Sequence, residues 1–266
     1  MEMKMPLEIH QKEDFSKLAH QLLNSFELVV NGQCFRLAEI EFYFYSQEHP
    51  DIFTHCSELQ KKNGFWYFHR IGNSYKGGSF KGLDMSIGGN GAIGGILLRS
   101  ISDENGQVTN GPSLLVDKLI ELTNNNSVAE LDRSIENKVI TDDTSPIFVR
   151  KRKWRDKKIY STARVGLTLK KVSPETNPET FIIAPYRFLN EPAKIKKGRI
   201  HLILSLYFDG HSSKQIKEIT GSPLKSIDKY ISWTEETANW QDFYGRNIGN
   251  KELCQIHAIK KTQKNC

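Results

Sequence analysis

The segment 37–45 alternates acidic or polar side chains with apolar ones. Glu39, Glu41 and Tyr43 occupy every second position, with apolar residues between them. A period of two residues predicts a β-strand, on which these three side chains share one face. A carboxylate beside aromatic side chains is either part of a solvated strand edge or a general base in an aromatic pocket. The periodicity alone leaves both interpretations open.

Two charged residues further along lie in apolar, strand-like surroundings. Asp84 alternates with apolar residues in 83–87, and Arg99 ends the apolar run of 94–101. A lone cation in such a run needs a carboxylate or a phosphate as its partner. The glycine-rich segment 72–82 lacks the Walker spacing and a following helix signal, which argues against a nucleotide P-loop.

The elements that must position these residues follow from periodicity and turn chemistry. Helical spacing predicts a helix over 15–26, with Asp14 as its N-cap. Asn31-Gly32 between two apolar runs predicts a β-hairpin whose second strand continues into 37–45. Strands are also predicted at 65–69, 83–87 and 94–101, a helix from Pro112, and strand-like or turn segments at 162–167 and 185–188. The predicted class is α+β, with a mostly antiparallel, strand-rich main domain.

Six short motifs occur in an order that one protein family shares. They are Glu39-Ile40-Glu41-Phe42-Tyr43, Phe53-Thr54-His55, Gly95-Ile96-Leu97-Leu98-Arg99, Gly111-Pro112-Ser113, Ala163-Arg164-Val165-Gly166 and Pro185-Tyr186-Arg187-Phe188. With these motifs in register over roughly residues 25 to 190, the chain resembles the alkyladenine (3-methyladenine) DNA glycosylase family. The resemblance implies an alkyladenine glycosylase-like fold and an enzyme that flips a base out of DNA and cleaves its N-glycosidic bond.

The resemblance also implies roles for individual residues. The family's catalytic glutamate falls on Glu41, and the arginine that helps to hold the attacking water falls on Arg99. The base-stacking tyrosine falls on Tyr43 and the pocket histidine on His55, with Leu97 two residues before the arginine. No cofactor and no metal ion are expected.

Asp84 departs from the family pattern, because it takes the position of an asparagine that abuts the flipped base. A carboxyl group there could protonate the leaving base, or it could accept a hydrogen bond from an exocyclic amine. It could also simply bond to a neighbouring turn. All three interpretations stay open.

The segment 65–81 is a second departure, because it is longer and richer in glycine than its counterpart in the family. Candidates for the aromatic that closes the base sandwich are Tyr67, His69 and Tyr75, and those for the wedge in the DNA are Tyr75 and Phe80. Glycines at 77, 78, 82, 88, 89 and 91 remove side chains around the expected pocket mouth. They suggest a base larger than methyladenine, such as a hypermodified base of phage DNA.

Basic side chains concentrate in 151–158, around Trp154, and again in 194–199. Such clusters are often only a solvated face, but an interleaved aromatic favours binding to a phosphate backbone. The formal net charge of +6 agrees with a polyanionic partner. The side chains expected to contact DNA in the main domain are Tyr75, Lys76, Phe80, Lys81, Lys151, Arg152, Lys153, Arg155 and Arg164.

The C-terminal part predicts three short helices, over 200–208, 213–220 and 224–233, with the turn Gly221-Ser222-Pro223 between the last two. This spacing resembles a helix-turn-helix, in which Lys225 and Lys229 would face the DNA major groove. A small helical cap on the main domain or on a second subunit is the alternative. We therefore divide the chain into a glycosylase-like domain (1–195), a helical appendage (196–245) and a basic C-terminal tail (246–266).

Composition limits the remaining possibilities. Of the 266 residues 38% are hydrophobic and 26% are charged, and no apolar run is long enough to span a bilayer. The charged start of the chain predicts no signal peptide, so we expect a cytoplasmic protein. The four cysteines match no zinc signature and are predicted to be free thiols. Neither a membrane nor a protein partner is indicated.

The predicted function is that of a monofunctional DNA glycosylase, which leaves an abasic site. A lyase would need a desolvated amine, whereas the lysines lie in segments that look solvated. One alternative directs the same chemistry at a bulky hypermodified base of phage DNA, in antiviral defence, rather than at alkylated purines in repair. A second alternative is a non-catalytic DNA-binding or regulatory protein on the same scaffold.

Overall fold

The computed structural model describes residues 13–264, and the side chains of 14–262. Within that range the helices are α1 (Glu13–Ser25), α2 (Pro112–Leu122), α3 (Val128–Ser134), α4 (Arg199–Phe208), α5 (Ser213–Thr220), α6 (Leu224–Thr234) and α7 (Asn250–Lys264). The strands are β1 (Phe26–Val30), β2 (Gln33–Tyr45), β3 (Asn63–Phe68), β4 (Arg70–Ile71), β5 (Ser74–Tyr75), β6 (Leu83–Ile87), β7 (Ile93–Ser102), β8 (Val108–Asn110), β9 (Ile147–Lys151), β10 (Tyr160–Thr162) and β11 (Arg187–Leu189). The predictions about a signal peptide and about the thiol of Cys266 concern residues outside this range.

Two compact units make up the described chain. The first contains 13–159 together with Phe188–Asn190, and the second contains Tyr160–Arg187 together with 191–264. The domain boundary predicted at residue 195 lies inside the second unit, which begins at residue 160. Among the helices of 13–264, none combines the length with the apolar composition that a bilayer crossing needs.

An antiparallel sheet organises the first unit, which makes the protein α+β as predicted. Strands β3, β6, β7 and β2 are hydrogen-bonded neighbours in that order, and β11 follows β2. On the sides, β1 pairs with both β2 and β9, while β8 pairs with β7. The long strands β2 and β7 therefore lie in the middle of the sheet. Hydrogen bonds to strands on both sides fix their backbones and so the positions from which their side chains start.

The predicted hairpin is confirmed at its turn. Asn31 and Gly32 both have positive φ, 45° and 82°, which two-residue hairpin turns require and which asparagine and glycine adopt most easily. One face of β2 packs against α1, where the rings of Phe15 and Phe42 stack with centroids 4.7 Å apart. The other face of β2 is thereby left to carry Glu39, Glu41 and Tyr43, as the alternation predicts.

The pairing of β2 with β7 slips twice within three residues. Leu37 is opposite Ile101, Glu39 is opposite Ser100, and the original register returns at Ile40 and Leu98. Each strand thus contains one extra residue, Ala38 in β2 and Arg99 in β7. A β-bulge of this kind changes the direction of the side chains around it.

A second, smaller hairpin consists of β4 and β5. The guanidinium of Arg70 lies 4.3 Å from the ring centroid of Tyr75 and donates to Asp132, whose carboxylate also accepts from the Tyr75 hydroxyl at 2.7 Å. These contacts fix the base of the hairpin. Its tip points away from them, and 74% of Ile71 is exposed.

Short helices build the C-terminal part of the second unit. The predicted helix at 200–208 is confirmed as α4, and the other two as α5 and α6. A capping box between Ser212 and Gln215 starts α5, and Gly221 in the left-handed region ends it at φ 68°. Ile227 is buried on the inner side of α6, whereas Leu224 at the start of the helix is partly exposed.

The segment described above as a basic C-terminal tail is largely helical. Helix α7 packs against α6 and α4 within the second unit. It buries Cys254, Ile256 and His257, and the Nε2 atom of His257 lies 3.0 Å from Nδ1 of His201 in α4. Burial lowers the pKa of His257 to about 4. The tail is thus part of the helical packing of this unit.

Candidate active site

Glu41 and Arg99, which the sequence places 58 residues apart, are in direct contact. The Arg99 Nη1 atom donates to Oε2 of Glu41 at 3.2 Å, and its Nε atom donates to Oε1 of Glu39 at 2.9 Å. Both glutamates are fully buried and Arg99 is 4% exposed. The expectation that Arg99 needs a carboxylate partner is confirmed, with two partners in place of one.

The slip in the sheet explains how the two glutamates are held differently. Because Arg99 is the extra residue of β7, both it and its neighbour Ser100 reach Glu39, whose Oε2 atom accepts from the Ser100 hydroxyl at 2.6 Å. Oε2 of Glu41 instead accepts from the Tyr43 hydroxyl at 2.9 Å. Glu39 thus binds side chains of β7, and Glu41 is linked to the aromatic residue that the resemblance assigns to base stacking.

Charge in this cluster is fixed by mutual compensation. Burial by itself would lower the pKa of Arg99, but the carboxylates of Glu41 and Glu39 outweigh that effect and raise it. A guanidinium in such a place stays protonated at every pH at which the protein is folded. It therefore gives the site a permanent positive charge beside Glu41.

The pairing of neighbouring strands places three further predicted pocket residues in line with Glu41. Glu41 is opposite Leu97, Leu97 is opposite Asp84, and Asp84 is opposite Tyr67. Directly opposite residues point to the same face of an antiparallel sheet. Glu41, Leu97, Asp84 and Tyr67 therefore form one row across four strands, which we call the site row.

A second polar cluster lies around Asp84. Its Oδ1 atom is 2.7 Å from Nε2 of His69, and its Oδ2 atom accepts from Nε2 of Gln60 at 2.9 Å. Gln60 is oriented by the main-chain N–H of Ser57, which donates to its Oε1 atom. The carboxyl group of Asp84 is therefore held on both sides by side chains and does not bond to a turn. Sequence reasoning missed Gln60, which carries no motif.

His55 approaches the same cluster from the loop after β2. Its ring centroid is 4.5 Å from that of His69, and its Nε2 atom is 3.0 Å from Nζ of Lys76. Desolvation, together with the charges of His69 and Lys76, lowers the pKa of His55 to about 4. Partial burial also lowers the pKa of Lys76. Lys76 is therefore an exception to the expectation that the lysines are solvated.

Of the aromatic candidates in 65–81, two lie at the site row. Tyr67 is buried in it, which raises the pKa of its hydroxyl, and its ring centroid is 5.9 Å from that of His69. Tyr75 is instead held by Arg70 and Asp132 at the base of the small hairpin. Phe80 is 75% exposed, and Ile71 is a second exposed apolar side chain that the sequence did not single out.

The predicted basic contacts of the first unit fall into two groups. Lys151, Lys153 and Arg155 are exposed. Arg152 is instead neutralised by Glu27 and Glu104, and its guanidinium stacks on Trp154 at 4.2 Å. Lys81 pairs with Asp117 in α2. The indole of Trp154 is also held, since its Nε1 atom donates to the carbonyl of Phe26.

Two outcomes concern the second unit. Arg164, expected to contact DNA, is 1% exposed, donates to the carbonyl of Phe181 at 3.2 Å and lies over the ring of Tyr186. The prediction that Arg164 contacts DNA is therefore wrong for this structure, because the side chain is packed inside the unit and not at its surface. Lys225 and Lys229 are both exposed on α6, and Nζ of Lys229 lies 4.8 Å from the ring centroid of Trp233.

Some glycines near the site are there for close packing. A Cβ atom at Gly82 would lie 2.6 Å from Nδ1 of His69, one at Gly88 would lie 2.0 Å from the carbonyl oxygen of Gln60, and one at Gly95 would lie 2.6 Å from Oδ2 of Asp84. These glycines permit close packing. The glycines at 78, 89 and 91 have positive φ and serve turns. Of the six glycines named in the sequence, Gly82 and Gly88 are thus explained by packing, whereas a Cβ atom at 77, 78, 89 or 91 would meet nothing within 4 Å.

Chemically, the site row has a carboxylate at each side of Leu97. One is bound to a guanidinium and the other to an imidazole, so the row can stabilise a cation at one end and exchange a proton at the other. Within 13–264, no group of three or more His, Cys, Asp or Glu side chains is arranged to hold a metal ion.

The fold and the site define an α+β protein whose antiparallel sheet carries buried acid and base side chains on one face. No protein-family model matches the chain. It is 32% identical, over 203 residues, to a protein of Acanthamoeba polyphaga mimivirus that bears the name "Uncharacterized protein L759". The match covers 71% of this chain and 91% of the viral protein. The chain therefore belongs to the same family as that mimivirus protein.

Proposed function

We propose that the protein is a monofunctional DNA glycosylase, which flips a damaged or modified base out of DNA and hydrolyses its N-glycosidic bond. The observation that carries the proposal is the contact between Glu41 and Arg99. The resemblance to the alkyladenine DNA glycosylases assigns these two residues to one reaction. They lie together, on rigid strands, with Tyr43 bonded to the same carboxylate.

The chemistry asks for such a pair. Cleavage of an N-glycosidic bond passes through a sugar with oxocarbenium character, as in glycoside hydrolysis. The carboxylate of Glu41 would stabilise that cation and take a proton from the attacking water. Arg99 would orient the carboxylate and the water. Because this pair contains no amine, the reaction ends at an abasic site.

A comparison of two glutamates tests the proposal. We expect Glu41→Gln to slow base excision at least about 10³-fold, because it removes the negative charge at the reacting carbon. Glu39→Gln is the matched control, equally buried and bound to the same arginine, and it should lose less than about tenfold. The measurement is alkali-dependent cleavage of end-labelled duplexes that carry alkylated bases, hypoxanthine or phage modifications.

Each contrary outcome has a distinct meaning. Equal activity of wild type and Glu41→Gln would contradict the assignment of the catalytic residue. An absence of alkali-labile sites in every DNA would favour a non-catalytic DNA-binding protein. Strand cleavage without alkali, trapped by borohydride and lost in Lys76→Gln, would replace the monofunctional mechanism by a lyase, since Lys76 is partly desolvated.

Base flipping needs a group that fills the gap in the duplex. Proteins that open base steps insert apolar side chains. The exposed Ile71 at the tip of the small hairpin and the exposed Phe80 meet that requirement, whereas Tyr75 does not. We propose that Ile71 or Phe80 is the wedge, and that the hairpin is held by Asp132 while it enters the DNA.

Helix α6 supplies a second proposed DNA contact. Lys225 and Lys229 are exposed one turn apart on the side opposite to the buried Ile227. We expect Lys225→Glu combined with Lys229→Glu to weaken DNA binding and to lower the slope of log K against log salt by about 2. The thermal unfolding temperature should stay unchanged. An unaltered salt slope would favour the alternative in which these helices are only a cap.

The identity of the base separates repair from antiviral defence. Close packing accounts for Gly82 and Gly88, which leaves fewer glycines to argue for a bulky hypermodified base, so alkylated or deaminated purines are the first substrates to test. Release of a bulky base from phage DNA, with no release of small alkylated bases, would reverse that order.

A further inference from the structure

We infer that Asp84 and His69 act together as the general acid that protonates the leaving base, so that the enzyme can excise bases that carry no positive charge. This inference rests on the proposed function. It is argued from the contact between Oδ1 of Asp84 and Nε2 of His69, which are 2.7 Å apart.

The position of the pair fits a leaving group. Asp84 lies in the site row, two strands away from Glu41, and adjacent strands are about 4.8 Å apart. The two carboxyl-bearing strands are therefore separated by about 10 Å. In inverting glycosidases the base and the acid are about 6.5–9.5 Å apart, which leaves room for the sugar and the attacking water. Glu41 and the Asp84–His69 pair have a comparable spacing on a common face.

The surroundings make the pair suitable for moving a proton. The side chain of Asp84 is almost fully buried and that of His69 is 11% exposed, so the shared proton is shielded but the imidazole still reaches the surface. Gln60 donates to the second oxygen of Asp84, which directs the first oxygen to His69. An aspartate that holds a histidine in one orientation is a recurrent arrangement in acid–base catalysis. Gln60 is a positioning residue in this scheme.

Neighbouring groups leave the proton to this pair. The titratable side chains that face it are His55, Lys76 and Tyr67, with Glu41 across the row. His55 is neutral down to a pH of about 4 and therefore has no proton to give at neutral pH. Tyr67 has a raised pKa and is a weak acid. Among the contacts of the described residues, no guanidinium or ammonium group binds Asp84, whereas Arg99 binds Glu41.

In this scheme, protonation of the leaving base accompanies cleavage of the glycosidic bond. The C1′–N bond breaks and its electron pair goes to the base nitrogen, which takes the proton from the Asp84–His69 pair. The oxygen of water bonds to C1′, and the proton of that water goes to Glu41. The products are a neutral free base and an abasic sugar, after which both groups return to their starting protonation through solvent. A base that is cationic through alkylation leaves without this proton.

The test compares a neutral with a cationic leaving base. Duplexes with one hypoxanthine or one 7-methylguanine are incubated with wild type, Asp84→Asn and His69→Gln, with the exposed Asp143→Asn as the matched control. We expect both site variants to lose at least about 10²-fold on hypoxanthine and less than about threefold on 7-methylguanine, because general acid catalysis contributes about 10²–10⁴-fold. Asp143→Asn should match wild type on both.

The pH profile gives a second readout that a structural role would not change. Because the reaction needs a general acid, the rate of wild type on hypoxanthine should fall as the pH rises, and both site variants should lack that fall. Equal losses on both bases, or an unchanged pH profile, would overturn the inference while leaving Glu41 in place. Release of neither base by wild type would overturn the proposed function for these substrates and the inference with it.

Discussion

The two ends of the site row bury carboxyl groups by different means. At one end, Arg99 binds Glu41 and Glu39 and keeps a fixed charge between them. At the other end, Asp84 is held by the imidazole of His69 and the side-chain amide of Gln60. One sheet face thus combines a permanent ion pair with a carboxyl group that an imidazole and an amide hold in place. The following predictions test that contrast.

The largest effect is expected from Arg99→Met. The change leaves Glu39 and Glu41 buried without their cation, which costs about 3–5 kcal/mol of unfolding free energy for an unpaired buried charge. Arg150→Met is the control, since its side chain is half exposed and Glu27 keeps Arg152, so the cost should stay below about 1 kcal/mol. Urea unfolding at pH 7 measures both, and equal costs would show that the buried cluster has no special role in stability.

A smaller effect is expected from Tyr43→Phe. It removes one hydrogen bond to Glu41 and keeps the ring, so the free energy of unfolding should fall by about 1 kcal/mol. Tyr45→Phe, on the exposed end of the same strand, should change it by less than about 0.5 kcal/mol. The same urea titrations report both values. A larger loss for Tyr45→Phe would contradict the geometry of the cluster.

The smallest effect concerns the titration of His55, near Asp84, which nuclear magnetic resonance can follow. His55 should titrate with a midpoint near pH 4, against an ordinary value of 6.5. Lys76→Gln should raise the midpoint and Asp84→Asn should lower it, because Lys76 opposes and Asp84 favours the protonated ring. Since the pKa of the folded state is depressed, the contribution of His55 to stability is complete above pH 6.5 and is lost as the pH falls towards 4. Shifts of opposite sign would disprove this arrangement.

The sequence was most informative where local chemistry decides the conformation. Asn31-Gly32 specifies its turn, the alternation around Glu41 specifies a face, and an arginine in an apolar run requires an acid. Each of these follows from the residues and their immediate neighbours. An anionic partner for Arg99 could therefore be anticipated from the residues alone, whereas its association with Glu41 was implied only by the family resemblance.

Other features depend on partners that are distant in sequence. Nothing local marks Gln60 as a support for Asp84, or Asp132 as the anchor of Tyr75, because both bonds join elements of unrelated sequence. Arg164 was expected at the surface, since arginine is rarely buried, and a carbonyl group and an aromatic ring compensate it instead. Helix α7 was not predicted, because its many charged residues obscure the helical spacing of the few residues that it buries.

The double slip between β2 and β7 also makes the chain unusually sensitive to length. Ala38 and Arg99 are each one residue too many for their strand, and the two surpluses cancel. Deletion of either one alone would shift the pairing of the two strands by one position and turn the face that carries Glu41 towards the apolar side. Deletion of both would restore the pairing but without the guanidinium. In-frame losses at these two positions should therefore be among the least tolerated in natural variants of this family.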